Sequence, residues 1–287
     1  MPLLETIGSA SSRGTGMFGD TSFPFDISGI RTSNLQLALG PGGSSYKPSQ
    51  PNDWLDISGN NNHFKVVPAS YKIDSNTQAP YFDFRGSHGM AKTASGIDVP
   101  GWTDTTPATM ISFTRMLTPT PVNWRTIART TENGGLTTGT ATRHHVIIQN
   151  NGTMMGMYNN NNALTGGSSV GFLETGYNVT SIPGYGTSTW AMYIYRYQDS
   201  NSLYYNFSYN DTPGTIRASI NNRSALFMKG PMSIGGYHGG GTAPDLTNPA
   251  TGDQFWGDIS SFFLWNARLS DQECLDVFNK YKGFYGL

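Results

Sequence analysis

Short runs of β-branched and aromatic residues alternate with clusters of Gly, Pro and Asn along most of this chain. Apolar runs that are bounded by turn residues predict β-strands. Their regular spacing favours an all-β fold with antiparallel strands, either a two-sheet sandwich or a jelly roll. The predicted strands are HFKVV at 63–67, PYFDF at 80–84, TMISFTRML at 109–117, WRTIART at 124–130, HHVIIQ at 144–149, MMGMY at 154–158, WAMYIYRY at 190–197, LYYNFSY at 203–209, PMSIGGY at 231–237 and DISSFFLW at 258–265.

Three segments depart from simple alternation. In the run at 190–197 both alternating sets of residues are apolar or aromatic, which predicts a central strand that is covered on both faces. Ile259, Phe262 and Leu264 do not keep a period of two, so their strand contains a bulge or is buried on both sides. Residues 159–189 show no strong pattern, and both a large surface loop and a pair of low-contrast strands remain open.

A helix is predicted at 270–281. Ser270 and Glu273 have the spacing of a capping box, in which each side chain binds the backbone N–H of the other residue. Gly283 is placed to end the helix. We expect this helix to cover an exposed sheet edge or the end of the core with Leu275 and Phe278. The predicted apolar stripe consists of Cys274, Phe278 and Tyr281, with Leu275 beside it.

The first 52 residues differ in character from the rest. Residues 1–22 are rich in Gly and Ser and bury too little apolar surface to fold alone. Residues 23–52 contain two strand pieces, FPFDI and LQLAL, together with the turn-rich stretches PGGSS and KPSQP, which predicts a linker. We therefore expect an extended N-terminal docking segment with its linker over 1–52 and one β domain over 53–287. The predicted docking residues are Leu3, Leu4, Ile7, Arg13 and Phe18.

Composition narrows the possible partners and compartments. With a net charge of -1 and 13% charged residues, the chain lacks the clustered Lys and Arg that nucleic acid requires. Neither a secretory signal nor a membrane-spanning run is visible, so we expect cytoplasmic synthesis and no membrane insertion. The single cysteine, Cys274, excludes an intrachain disulfide and is expected to be buried and unreactive.

Several motifs occur in a recognisable order. The last strand and helix carry Gly257, Ile259, Phe262, Leu264, Asn266, Leu269, Ser270 and Glu273. Upstream lie Trp54, Asp56, Ser58, Gly59, Asn60 and Asn62, then Phe82, Phe84, Arg85 and Gly86, then Ile111 to Phe113, Trp190 to Tyr195, and Ile234 with Gly235. Together they resemble the concanavalin A-like lectin/glucanase fold in its laminin G-like form, over roughly 53–283. The resemblance implies a two-sheet jelly-roll sandwich with a short C-terminal helix, and it departs from the family pattern at residues 205–211.

The N-terminal stretch LLETIGSASSRGTGMFG resembles the start of structural proteins from tailed bacteriophages, in which such a stretch precedes a displayed domain. This resemblance implies a location in the virion and attachment to other virion proteins through the N-terminal segment. It also implies several copies of the chain in each particle, as a homo-oligomer. Many weak contacts on one particle would add up through avidity.

Catalysis and tight metal binding are not expected. A glycosidase needs two carboxyl groups facing each other across a cleft. The carboxylate pairs usual for the resembled fold, E-x-D-x-x-E or E-x-D-x-E on one strand, do not occur in this sequence. His144 and His145 are adjacent on a predicted strand, so they point to opposite faces and cannot share one ion.

The loop at 235–253 is the clearest candidate for ligand binding. Its glycines permit close backbone approach, and its aromatic and histidine side chains suit a sugar. Calcium, through Asp245, Asn248 and Asp253, is an alternative ligand, and an ordinary loop whose Asp and Asn cap turns is another. The predicted glycan-contact residues are Trp102, Trp124, Asn160, Tyr237 and His238.

These patterns lead to one expectation and two alternatives. We expect a bacteriophage virion structural protein that displays a lectin-like domain, supports particle assembly and adheres to host-surface polysaccharide. The alternatives are a free carbohydrate-binding module and a glycoside hydrolase with an unrecognised carboxylate pair.

Overall fold

Two antiparallel sheets account for most of the described chain. The computed structural model describes residues 23–67, 70–85, 91–93, 107–116, 125–131, 143–148, 154–159, 172–178, 189–197, 204–209, 216–220, 232–235, 255 and 257–287. Within these ranges the protein is mostly β, with two eight-stranded sheets and one C-terminal helix.

The first sheet has the order β14-β13-β12-β7-β16-β5-β4, and β1 also pairs with β16. Its strands are β1 (Leu35–Leu39), β4 (Tyr71–Ile73), β5 (Pro80–Asp83), β7 (Ala108–Met116), β12 (Ala191–Tyr197), β13 (Tyr204–Tyr209), β14 (Ile216–Ile220) and β16 (Gly257–Trp265).

The second sheet has the order β11-β10-β9-β8-β15-β6-β3-β2. Its strands are β2 (Asp53–Trp54), β3 (Phe64–Lys65), β6 (Ala91–Thr93), β8 (Arg125–Thr131), β9 (Arg143–Ile148), β10 (Met154–Asn159), β11 (Phe172–Asn178) and β15 (Met232–Ile234). The helix, α1, spans Asp271–Tyr285.

Each predicted strand overlaps an observed strand. The run at 190–197 is confirmed as a central strand, because β12 lies between β13 and β7. In the patternless segment 159–189, residues 172–178 form β11, which pairs with β10. The run at 63–67 is the weakest match, since only Phe64–Lys65 is a strand.

The two sheets share one apolar core. It combines Trp54, Phe64 and Ile127 from the second sheet with Phe82 and Phe262 from the first. A second core lies on the opposite face of the first sheet. The first sheet is therefore buried on both faces, which explains why its central strands are apolar at both alternating sets of positions. Members of the second core on strands of the sheet are Leu35, Ala38, Tyr81, Ile111, Phe113, Met192, Ile194, Phe263 and Trp265, and Trp190 directly precedes β12.

Strand β16 shows both features that its irregular pattern predicted. All nine of its residues are buried. Its register against β7 shifts between Ile259 and Ser261, which marks a bulge. Ser260 at this bulge donates a hydrogen bond to the carbonyl of Pro80 at 2.6 Å, so the interruption of the ladder is partly compensated.

The helix begins as predicted but ends later and lies elsewhere. The capping box of Ser270 and Glu273 is present, and Cys274 is buried. The prediction that Gly283 ends the helix is wrong, because Gly286 is the C-cap, with a φ of 68° in the left-handed region. The extra turn buries Tyr285 on the first sheet.

The expectation that α1 covers an edge or the end of the core is also wrong. The ring of Tyr281 lies 5.8 Å from that of Phe113 on β7 and 5.4 Å from that of Phe263 on β16. Tyr285 stacks on Phe113 at 4.5 Å. The helix thus covers the outer face of the first sheet, because these strands carry apolar side chains on both faces.

Residues 23–52 do not behave as the predicted linker. In β1, Leu35 pairs with Trp265 and Leu39 with Phe262 of β16. Phe25 is buried in the second core against Tyr281, with ring centroids 5.7 Å apart. This stretch therefore contributes to both sheets' packing, through contacts with residues more than 200 positions away that no local pattern reveals. The predicted docking residues in 1–22 lie outside the described residues.

Candidate functional site at one end of the sheets

The predicted site residues lie outside the described residues. The structure does describe the strands that are next to them in sequence. Those outside the described residues are the glycan-contact candidates Trp102, Trp124, Asn160, Tyr237 and His238 and the calcium candidates Asp245, Asn248 and Asp253. Among the described residues, no group of His, Cys, Asp or Glu is arranged to hold a metal ion.

Several strands begin or end together around Gly235, and we call this region the Gly235 end. In the first sheet, Gly257 at the start of β16 pairs with Met116 at the end of β7. In the second sheet, Ile234 at the end of β15 pairs with Ala128, near the start of β8. Gly235 joins the two sheets here, since its N–H donates to the Ile127 carbonyl at 2.8 Å while its α-carbon faces Phe84 beyond β5.

Gly235 also fixes the base of the loop that contains Tyr237 and His238. Its carbonyl accepts a hydrogen bond from Phe255 N–H at 2.8 Å, so the first and last residues of this long connection meet. Its φ is 80°, and a Cβ atom would lie 2.2 Å from the Phe84 ring. Only glycine fits such a position without strain. The protein therefore holds both ends of the candidate loop in a fixed place.

The strand ends divide the glycan-contact candidates into two sets. Trp124 directly precedes β8, and Tyr237 and His238 follow Gly235, so these three adjoin the Gly235 end. Trp102 precedes the start of β7, where Ala108 pairs with Tyr197 of β12, and Asn160 follows the end of β10. Those strand termini lie at the opposite end of the sheets. The structure thus brings together the strand ends that lead to the first three candidates, and it places the ends of β7 and β10 that lead to the other two at the opposite end of the sheets.

A buried ionic cluster, which the sequence analysis missed, lies in the first sheet at the Gly235 end. Asp258 of β16 stands opposite both Arg115 of β7 and Asp83 of β5. Arg115 Nε donates to Asp258 Oδ2 at 2.6 Å, and Arg115 also pairs with Asp74. Arg85 binds Asp83 through Nε and Nη2, each at 2.7 Å. We call these five residues the Asp258 cluster.

Aromatic rings complete the surroundings of Arg115. Its guanidinium carbon lies 4.6 Å from the ring centroid of Tyr81 and 4.8 Å from that of Trp190. Both distances fit cation–π contacts. The only sequence signal for this arrangement is one charged residue inside each of two otherwise uncharged strands, TMISFTRM and GDISSFFLW.

The carboxyl groups of the cluster differ in their acidity. Burial raises the pKa of Asp258 to about 6, although Arg115 and Arg85 oppose the change. Burial also acts to raise the pKa of Asp74, but hydrogen bonds from the Thr77 and Asn76 backbone and the charge of Arg115 outweigh it and lower the pKa. Asp258 is wholly inaccessible, so it cannot touch a substrate, and the cluster belongs to the scaffold.

The motif at residues 54–62 is likewise part of the scaffold. Asp56 accepts hydrogen bonds from the backbone N–H groups of Ala38, Ser58 and Asn62, at 2.9 to 3.0 Å. The side chain of Asn62 donates to the Gln36 carbonyl at 2.8 Å. These bonds fasten the segment after β2 to β1, so the polar side chains are used within the fold.

Comparisons with known proteins agree with a β-rich fold. No family model and no curated protein matches the sequence. The binding domain of Paraclostridial Mosquitocidal Protein 1 is similar in structure, with a TM-score of 0.57, 13% identity, and coverage of 89% of this chain and 55% of that one. The receptor-binding domain of botulinum neurotoxin C/D mosaic serotype gives a TM-score of 0.57 at 10% identity, covering 87% and 52%.

A structure of botulinum neurotoxin type C, whose cell entry is dependent upon interaction with two ganglioside molecules, is similar with a TM-score of 0.54 and 12% identity, covering 89% of this chain and 53% of that one. The chain spans about half the length of these solved structures. At such identities the likeness shows the fold alone: a β-rich architecture that this chain shares with binding domains of toxins.

Proposed function

We propose that this chain is a carbohydrate-binding domain without catalytic activity that is displayed on the surface of a tailed-bacteriophage particle. The observation that carries the proposal is the shared fold with toxin binding domains over 89% of the chain. One of those neighbours interacts with gangliosides. In this proposal the two sheets form the concanavalin A-like jelly roll that the sequence motifs resemble, and the fold serves as a rigid support for variable loops.

The Gly235 end is the proposed glycan site, with Trp124, Tyr237 and His238 as the contact residues. Support comes from the closed base of the loop, where Gly235 and Phe255 are hydrogen-bonded at 2.8 Å. A loop with both ends fixed loses less conformational entropy when it binds a ligand. Aromatic rings stack on the apolar faces of sugars, while a histidine supplies hydrogen bonds.

A glycan array tests the site. The domain is multimerised, because single-site affinity of a displayed module is expected to be weak. Trp124→Ala and the Tyr237→Ala/His238→Ala pair should remove binding to the recognised polysaccharide. The matched controls are Trp102→Ala and Asn160→Ala, next in sequence to strand termini at the opposite end, and both variants should bind normally. If the Trp124 and Tyr237/His238 variants still bind and the Trp102 and Asn160 variants do not, the proposed location of the site is wrong. If the wild type binds no bacterial polysaccharide on the array, only a structural role remains.

Attachment to the particle is proposed to run through residues 1–22, in the host-cell cytoplasm where the particle assembles. The segment joins the described fold at Phe23, whose ring lies 4.7 Å from that of Phe284 in α1. The attachment therefore begins at a firmly packed position. Deletion of residues 1–22 should prevent incorporation into particles while the domain stays folded. Normal incorporation would refute the docking role, and a chain that binds glycans but is never found on particles would be a free carbohydrate-binding module.

Neither an enzymatic role nor a bound cofactor is part of the proposal. No polysaccharide that the domain binds should be shortened during prolonged incubation. Calcium through Asp245, Asn248 and Asp253 is the alternative for the loop, and glycan binding that requires calcium and is lost with a chelator would establish it. Turnover that disappears when two carboxylates are changed would instead favour a hydrolase.

A further inference from the structure

The Asp258 cluster holds more buried negative than positive charge. Its three carboxyl groups, Asp74, Asp83 and Asp258, are all buried, with exposures of 4%, 6% and 0%. Among the described residues, they face two guanidinium groups, those of Arg85 and Arg115. If every carboxyl group is ionised, the cluster has one negative charge in excess. Burying an unbalanced charge is costly, and a proton is the simplest compensation.

Asp258 is the carboxylate with the fewest partners. Asp83 is held by both nitrogens of the Arg85 fork. Asp74 accepts from two backbone N–H groups at 2.8 Å and pairs with Arg115. For Asp258, Arg115 binds Oδ2, whereas Oδ1 has no hydrogen bond and lies 3.7 Å from Arg85 Nη2.

Charged and titratable side chains surround Asp258 from every described element that packs against it. Arg115 approaches from β7, and Arg85, Asp83 and Tyr81 approach from β5 and its C-terminal extension. Asp74, in the turn between β4 and β5, shares Arg115 with it. Since the positive groups are already engaged with the other carboxylates, Asp258 is where an added proton removes the excess charge.

We infer that the Asp258 cluster is a pH-sensitive latch that joins β5 and the Asp74 turn to β7 and β16, and that mild acid strengthens it by protonating Asp258. The inference goes beyond the proposed function, because it concerns the response of the fold to pH whether or not a glycan is bound. The direction is the reverse of ordinary acid denaturation, in which paired carboxylates lose their partners as they are protonated.

The sign follows from which state binds the proton more tightly. The pKa of Asp258 is raised by burial to about 6, from 3.8 for a free side chain. Between these values the folded protein holds the proton and the unfolded chain does not. This contribution to stability therefore grows as pH falls through 6 and is lost as pH rises above it. The lowered pKa of Asp74 gives the opposite trend: its contribution is lost in acid.

Urea unfolding between about pH 7.5 and pH 4.5 tests the latch. Relative to Asp258→Asn, the wild type should gain stability as the pH falls, with the ratio of their unfolding constants changing by about 25-fold over this range. In the Asp74→Asn background, two carboxyl groups face two guanidinium groups, so the gain of the Asp258 protein over its Asp258→Asn counterpart in acid should shrink. Parallel pH profiles for the wild type and Asp258→Asn would overturn the inference.

A second measurement uses the wild-type chain, so it tests the protonation of Asp258 even if Asp258→Asn does not fold. The side-chain carboxyl carbon of Asp258 in the wild-type chain is followed by NMR during a pH titration. A midpoint near 6 is expected. A midpoint at or below about 4, the value of a free aspartate, would refute the latch because no excess charge would then need a proton.

Discussion

The contact between Phe25 and Gly40 predicts a strong coupling between two substitutions. Phe25 is buried in the second core, between Tyr281 of α1 and Phe263 of β16. A Cβ atom on Gly40 would lie 2.1 Å from Cγ of its ring, a separation that real Cβ atoms do not show. Gly40 thus leaves the space in which Phe25 fixes the N-terminal stretch to the fold.

The expected changes in the free energy of unfolding differ for substitutions of Phe25 and of Gly40. Phe25→Ala should cost about 3–5 kcal/mol in the free energy of unfolding, because it leaves a cavity in a packed core. Gly40→Ala should cost about 1–3 kcal/mol in the wild type, since the ring must be displaced. In the Phe25→Ala background the new methyl group enters the cavity, so Gly40→Ala should be neutral or stabilising there, by up to about 1 kcal/mol.

Equilibrium urea denaturation of the wild type, both single variants and the double variant measures the coupling energy. Gly283→Ala is the control: Gly283 lies within α1 with no atom within 4 Å of the added Cβ. This change should stabilise by about 1 kcal/mol in either background through helix propensity. If Gly40→Ala costs the same with and without Phe25, the ring does not occupy this site and the account of residues 23–52 is wrong.

Three further predictions concern single residues. Ser270→Ala should destabilise by about 1 kcal/mol in urea unfolding through loss of the capping box, whereas Ser270→Asp keeps an acceptor and should not. The hydrogen bond from Lys280 lowers the pKa of Asp26 to about 2, so the wild type should lose stability relative to Asp26→Asn as the pH falls from about 4 towards 2; identical acid profiles would contradict this. Burial raises the pKa of Cys274 to about 12, so a thiol reagent should label it only in denaturant, and labelling of the native protein would show that the α1 layer opens.

Local patterns predicted the elements whose causes are local. The capping box of Ser270 and Glu273 marks the start of α1, because both partners stand within one turn. The two-faced apolar run at 190–197 marks a central strand for a similar reason, since alternation is a property of neighbouring residues. The place where α1 packs could not be predicted from local sequence. It depends on contacts of Tyr281 with Phe113 and Phe263, and Phe113 is distant in sequence.

Arrangements that depend on distant partners could not be predicted. Asp258 meets Arg115 over 143 positions, and neither residue has a neighbour in sequence that indicates the other. The strand β1 looked like part of a linker because Gly and Pro flank it, yet those glycines are where Phe25 packs. The candidate site was predicted only as a set of loop residues, because the grouping of their strands at one end is a property of sheet order.

The two-faced burial of the first sheet limits where a ligand can bind. Helix α1 and the stretch around Phe25 cover its outer face, and its inner face packs on the second sheet. Even the polar side chains of β7 that the structure describes, Thr109, Ser112 and Thr114, are fully buried. The described central strands of this sheet therefore offer no exposed surface to a glycan. The proposed glycan site would therefore lie at the strand ends or on the second sheet, and the fixed loop base at Gly235 makes the strand ends the first place to substitute.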